Sequence, residues 1–159
     1  MAAMDGKREM LRHAVATVAY RATRAVEDAP ESFAEFAGCG RTPAQILAHL
    51  GDLFDWALSQ AKGEERWFNS APLPWGEEKA RFYAALGAFD QALGGPEPVH
   101  VTEEKLFQGA VADALTHVGQ LAMMRRLAGS PAWSENFSRA AIEAGRAGAD
   151  QAEAVKRFR

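Results

Sequence analysis

Four histidines and a set of carboxylates are the side chains of this 159-residue chain best able to hold a metal ion or move a proton. Two of the histidines stand out by their surroundings. His49 sits at the edge of an apolar run, beside Leu53 and Trp56 on helical spacing. His117 belongs to the series Asp113, His117, Gln120 and Met124, at i, i+4, i+7 and i+11, which follows one line along a helix. That line overlaps the apolar face, so a carboxylate and an imidazole are both expected to point inward. A buried carboxylate is costly without a partner, and a divalent cation is one good partner. Asp and His four residues apart on a helix can reach the same ion. A third ligand must come from another helix, and His49 is the inward histidine available. His49, Asp113 and His117 would then form a two-histidine, one-carboxylate set with an open coordination position. Zinc, nickel and iron(II) accept such a set, with zinc the first choice. The same spacing also fits a plainer arrangement, in which Asp113 hydrogen-bonds His117 or a group on another helix and no metal is involved.

The remaining candidates are weaker. Gln120 either orients a ligand or bridges two helices. Trp56 could line a pocket, but it reads first as core, as do Met123 and Met124. His13 lies beside the apolar stripe of the first helix and is a minor candidate for lining a site. His100, among prolines, reads as solvated. Asp52 and Asp55 read as the solvated face of the second helix, and Arg125 and Arg126 as surface charge suited to a helix C-terminus. Cys39 lies between Gly38 and Gly40 and reads as an incidental loop cysteine, with nucleophile as the second reading.

These side chains must be positioned by helices. Leu11, Val15, Val18 and Ala22 mark a first helix from about Lys7 to Glu27, followed by a loop from Ala29 to Arg41. Thr42 is a good N-cap and Pro43 suits the first helical position of a second helix, which carries Ile46, Leu50, Leu53, Phe54, Ala57 and Leu58 and ends at Gly63. The linker from Glu64 to Pro74 holds Trp67 and Phe68, which suggests that it packs back over the helices and a pocket. A third helix is expected from about Gly76 to Leu93, with Phe82, Leu86, Phe89 and Leu93 inside. A fourth begins near Thr102, with Glu103 and Glu104 in its first turn, and stops at Gly129. The stretch from Phe137 to Phe158 reads as one or two short helices broken at Gly145 and Gly148. The expected fold is all-α: a four-helix bundle with short extra C-terminal helices, forming one domain over residues 1–159.

Composition narrows the function classes. The net charge is -3 and no basic stripe is visible, which argues against nucleic acid as a partner. No apolar run is long enough to span a bilayer, and the first residues lack the apolar core of a signal peptide. A single cysteine cannot form an intrachain disulfide and suits a reducing compartment, so a cytoplasmic location is expected.

Two segments carry a resemblance. Residues 42–53, with His49 following a helix-start signal and leading into an apolar run, resemble the second-helix motif of DinB/YfiT-like proteins. Residues 113–121 resemble their fourth-helix motif, which usually reads H-x-x-x-H followed by x-G-Q and an aliphatic residue; His117, Gly119, Gln120 and Leu121 match, and Asp113 stands where the first histidine would be. The resemblance implies a four-helix bundle with one divalent metal held by three histidines, of which His49 and His117 are matched and Asp113 is a substitution. An aspartate can still ligate, but it adds negative charge and shortens the reach. The family includes enzymes that transfer a low-molecular-weight thiol, such as bacillithiol, to an electrophile, and its members often form homodimers. The resemblance therefore implies a small-molecule substrate, with a bacterial thiol as a partner and the metal lowering the thiol pKa. A metal-dependent hydrolase and a non-catalytic, stress-related binding module that has kept the fold are the alternatives.

Overall fold

The protein is described by a computed structural model over residues 5–158. Helix α1 spans Gly6–Val26, α2 Pro43–Ala61 and α3 Trp75–Gly94. A fourth rod follows in three consecutive pieces: the short helix α4 at Glu103–Leu106, a π-helical turn at Phe107–Val111, and α5 at Ala112–Leu127. Strands β1 (Ser134–Glu135) and β2 (Arg157–Phe158) form a small antiparallel pair in which Ser134 faces Phe158 and Glu135 faces Arg157. The chain is thus mostly helical, with four long rods and a two-stranded sheet. Among the described residues no helix is long and apolar enough to cross a membrane.

Both α1 and α2 pack against α3 and α5, so neighbours around the core run α1, α3, α2, α5. The expected stripes are the faces that meet there. Leu11, Val15, Val18 and Ala22 of α1 are buried, as are Ile46, Leu50, Leu53, Phe54 and Ala57 of α2 and Phe82, Leu86, Phe89 and Leu93 of α3. Each large apolar side chain so buried contributes about 1.5–3 kcal/mol. Phe54 packs its ring against both Phe82 and Phe89, at centroid distances of 6.3 and 5.9 Å, and so ties α2 to α3.

Caps set where the rods begin, and with that the direction each functional side chain takes. Thr42 and Gln45 form a capping box: Thr42 Oγ1 accepts from Gln45 N at 3.2 Å, and Gln45 Oε1 accepts from Thr42 N at 2.8 Å. Pro43 occupies the first turn as its missing N–H allows. Thr102 caps α4 in the same manner, accepting from Lys105 N at 3.3 Å. Gly63 and Gly129 take φ values of 76° and 78° just beyond α2 and α5, the left-handed geometry that ends a helix.

Four features depart from expectation. The fourth rod is not a continuous α-helix; the π-helical turn adds one residue to its ladder between α4 and α5. The C-terminal stretch forms no α-helix. Its only helical turn is the 3₁₀ segment Phe137–Arg139, and Gly145 turns the chain at φ 94°. This segment has no helical apolar stripe to bury; Phe137 packs edge-on against Tyr20 of α1 at 6.2 Å, and polar contacts complete the attachment. Glu135 accepts from Tyr20 Oη and, at 3.0 Å, from Arg24 Nε, and Arg24 also donates to the Ala152 carbonyl. Asp52 is buried at 2% exposure rather than solvated, and Arg125 is buried rather than on the surface. Arg125 donates to the Glu27 carbonyl at 2.6 Å and to the Ser130 carbonyl at 2.8 Å, so it closes one open carbonyl past the end of α1 and one past the end of α5.

Candidate metal centre

His49 lies two turns into α2, Asp113 in the first turn of α5 and His117 one turn later. The packing of α2 on α5 brings the three together. Among the described residues they form the one group of three such side chains whose ligand atoms all lie within 4.8 Å of one another. Asp113 Oδ2 stands 3.4 Å from His49 Nε2 and 3.5 Å from His117 Nε2. The two imidazole rings meet edge to face at 4.7 Å.

These distances bear on the two readings of the spacing. A direct hydrogen bond between such groups is usually about 2.9 Å, so both Asp–His contacts are long for one. Ligands around a tetrahedral ion with bonds of about 2.1 Å stand roughly 3.4 Å apart. The two Asp–His separations therefore match those between ligands of one divalent ion, and the three side chains can hold one.

The proton on His117 points the same way. Its Nδ1 lies 2.7 Å from Gln120 Oε1, an acceptor. With Gln120 Oε1 as the acceptor, the neutral ring carries its proton on Nδ1 and turns the lone pair of Nε2 to Asp113. Without a cation that lone pair meets a carboxylate; with one, both are donors to it. Gln120, one turn along α5, thus orients a ligand in the way that the partners of metal-bound imidazoles do. At His49, burial is the main effect and holds the imidazole below its ordinary value. The nearby Asp113 carboxylate opposes this, and the Arg41 charge pushes further down. The neutral ring that results is the form that ligates.

Asp113 is not in the core. Its side chain is 45% exposed, against 19% for His49 and 14% for His117, so the centre opens to the surface at the carboxylate. Burial of the carboxylate therefore gives less reason for an ion than the spacing alone suggests; the convergence of donors supplies the reason instead.

Of the other expected residues, Trp56 lies one layer out. Its indole donates to Glu65 Oε1 at 3.2 Å, and a Cβ on Gly109 of the π-helical turn would stand 3.5 Å from its ring. The ring of Trp67 lies between Trp56 and His49, at 5.6 Å from the first and 5.8 Å from the second. The linker between α2 and α3 does fold back over the helices, as its aromatics suggest. It is held near one end by Ser59, whose Oγ accepts from Arg66 N at 2.9 Å, and near the other by Asp52, which accepts from Ser70 N at 2.8 Å and Ser70 Oγ at 2.7 Å. His13 stays exposed on α1, outside the group, and His100 is exposed near Gly63.

A cleft of about 450 Å3 opens beside the centre, lined by His49, His117 and Gln120 together with apolar side chains. Met123 and Met124 both line it, although Met124 is buried and Met123 is 50% exposed. Cys39 and Arg41 complete its wall. The spacing of the helical residues gave no sign of those two, because they precede the Thr42 cap in a loop without periodicity.

No family model, no curated protein and no solved structure matches the chain.

Proposed function

We propose that the chain is a metalloenzyme with a DinB/YfiT-like four-helix bundle, which binds one divalent ion at His49, Asp113 and His117 and transfers a low-molecular-weight thiol to an electrophile. Zinc is the metal that suits two imidazoles and one carboxylate best. The observation that carries the proposal is the convergence of three electron-pair donors, with Gln120 Oε1 placed to accept the His117 ring proton at Nδ1. The thiol step rests on the resemblance of residues 42–53 and 113–121 to the family motifs. A metal ion in this position would lower the pKa of a thiol bound to it and so supply thiolate at neutral pH.

The chain's own residues have separate tasks in this reading. Gln120 keeps His117 Nε2 turned to the centre. The Trp67 ring shields one side of His49 from water. The cleft beside His117 gives the electrophile an apolar seat. No carboxylate and no further imidazole lines that cleft among the described residues, so a metal-bound water would lack a base, and hydrolysis ranks second. A cytoplasmic setting and a homodimer belong to the same reading.

The test is a transfer assay on zinc-loaded protein, with monochlorobimane as electrophile and a panel of bacterial low-molecular-weight thiols. Turnover that disappears in His117→Ala and with a chelator is expected. No turnover with any thiol in protein shown to contain metal would overturn the transferase reading. Failure to take up metal at all would favour the non-catalytic binding module.

A further inference from the structure

The cleft beside the metal centre has three chemically distinct parts. The first is the pair of imidazoles, His49 and His117. The second is apolar: Ile46, Met123, Met124 and Leu127, of which Met123 and Leu127 are 50% and 60% exposed. Exposed apolar side chains gathered around a concavity are surface that a ligand can cover, and methionine adapts to irregular shapes. The third part is Arg41.

Arg41 differs from the structural arginines of this fold. Arg12, Arg24, Arg81 and Arg125 each donate to oxygens of neighbouring elements. Arg41 is exposed and makes no hydrogen bond or ion pair with any described residue, and no acidic side chain lines the cleft to neutralise it. It lines the same cleft as His49 and His117, which places it beside the centre. A guanidinium is a planar fork of donors suited to a carboxylate.

Charge arithmetic narrows the ligand. A divalent ion held by two neutral imidazoles and one carboxylate keeps one net positive charge, and Arg41 adds a second, separate one. A ligand with one anionic donor and one carboxylate balances both. A phosphate would bring further charge that no second cation in the cleft meets.

We propose that the cleft selects a small carboxylate-bearing ligand: its carboxylate pairs with Arg41, its apolar body covers Ile46, Met123, Met124 and Leu127, and its donor atom takes the open coordination position between His49 and His117. Only the last of these contacts rests on the metal centre proposed above. Arg41 is the specificity-determining residue.

Two measurements test this, one with metal and one without. In the first, cobalt(II)-loaded protein is titrated with ω-mercaptocarboxylates of four and six carbons and with the matching ω-mercaptoalcohols, and binding is read from the thiolate-to-cobalt absorption band. The acids are expected to bind about tenfold more tightly than the alcohols, and Arg41→Gln to reduce that preference to about twofold or less while leaving the alcohols unchanged. In the second, metal-free protein is alkylated with iodoacetamide at Cys39, the chain's one cysteine, exposed in the cleft wall. Each variant is normalised to its own ligand-free rate. Hexanoate is expected to slow alkylation in the wild type and not in Arg41→Gln, and hexanol in neither. Equal affinity for acid and alcohol, or a preference that survives in Arg41→Gln, would overturn the proposal. Failure to bind cobalt would remove the metal centre alone; the alkylation result would then decide the carboxylate site, with no protection by hexanoate counting against it.

Discussion

Helix α2 carries two polar clusters, centred on His49 and Asp52, that are built in opposite ways. At Asp52 the charges close on one another. Asp52 accepts from Ser70 and, at 2.8 Å, from Arg81, which also donates to the Ala48 carbonyl at 2.8 Å. Arg81 Nε lies 3.1 Å from a carboxylate oxygen of Glu78, which is fully buried. Gly51 makes room for this, since a Cβ there would come within 2.9 Å of the guanidinium. At His49 the arrangement is the reverse. Three groups that donate electron pairs face one another, open to solvent at Asp113, and none of them supplies the cation. A cluster that carries both signs of charge balances itself as a clamp, even though Arg81 Nε and Glu78 Oε2 meet as an ion pair without a hydrogen bond. A cluster of lone pairs alone is complete only with something added, and that difference separates structure from function on a single helix.

The comparison breaks most readily at Arg81. Arg81→Met would leave Asp52 and Glu78 buried without their cation, and a loss of about 3 kcal/mol is expected in chemical denaturation. A loss as small as that of an ordinary surface substitution would mean that the clamp is not what holds the linker and Trp67 in place. A smaller effect is expected at the open cluster. Gln120→Leu removes the acceptor on His117 Nδ1 and should weaken metal affinity by about tenfold in a competition titration with a chromophoric chelator, with little change in metal-free stability. Unchanged affinity would show that Gln120 does not orient the ring.

The smallest effect is one of pH. Burial, the largest cause, raises the Glu78 carboxyl above its ordinary value of 4.5, against the opposing pull of Arg81. The folded state then keeps this proton to higher pH than the unfolded chain does. Its stabilising contribution is full at acid pH and is lost as pH rises through the folded value. Glu78→Gln cannot titrate, so its stability relative to the wild type should rise from acid to neutral pH in thermal melts. A difference that stays flat with pH would place the Glu78 carboxylate in a better solvated setting than its burial indicates.

Much of the helical frame was legible because local signals agreed. Thr42, Pro43 and Gln45 mark the start of α2, Gly63 marks its end, and the stripe of α3 is buried at all four expected residues. The convergence of His49, Asp113 and His117 was legible for the same reason, since two of them share one helix face and the third lies on a rod that packs beside it. The C-terminal stretch was misread because alanines and arginines there suit a helix by propensity, while the fold binds the segment through Glu135, Arg24 and Tyr20, contacts that no periodicity announces. Asp52 and Arg125 were misread because a charged residue beside an apolar stripe looks solvated until its partner, on another element, is known. Trp67 reaches His49, and Arg41 the cleft beside it, from loops, where spacing carries no direction.

The central claim is that the donors of His49, Asp113 and His117 share one ion. The most direct measurement is metal content by elemental analysis of untagged protein incubated with zinc and dialysed, beside His49→Ala and Asp113→Ala. These side chains lie at the rim, so each variant should stay folded, with metal-free stability within about 1 kcal/mol of the wild type. The account predicts about one zinc per chain in the wild type, as one three-ligand site implies, and none retained in either variant. No zinc in the wild type, or zinc retained in both folded variants, would contradict it.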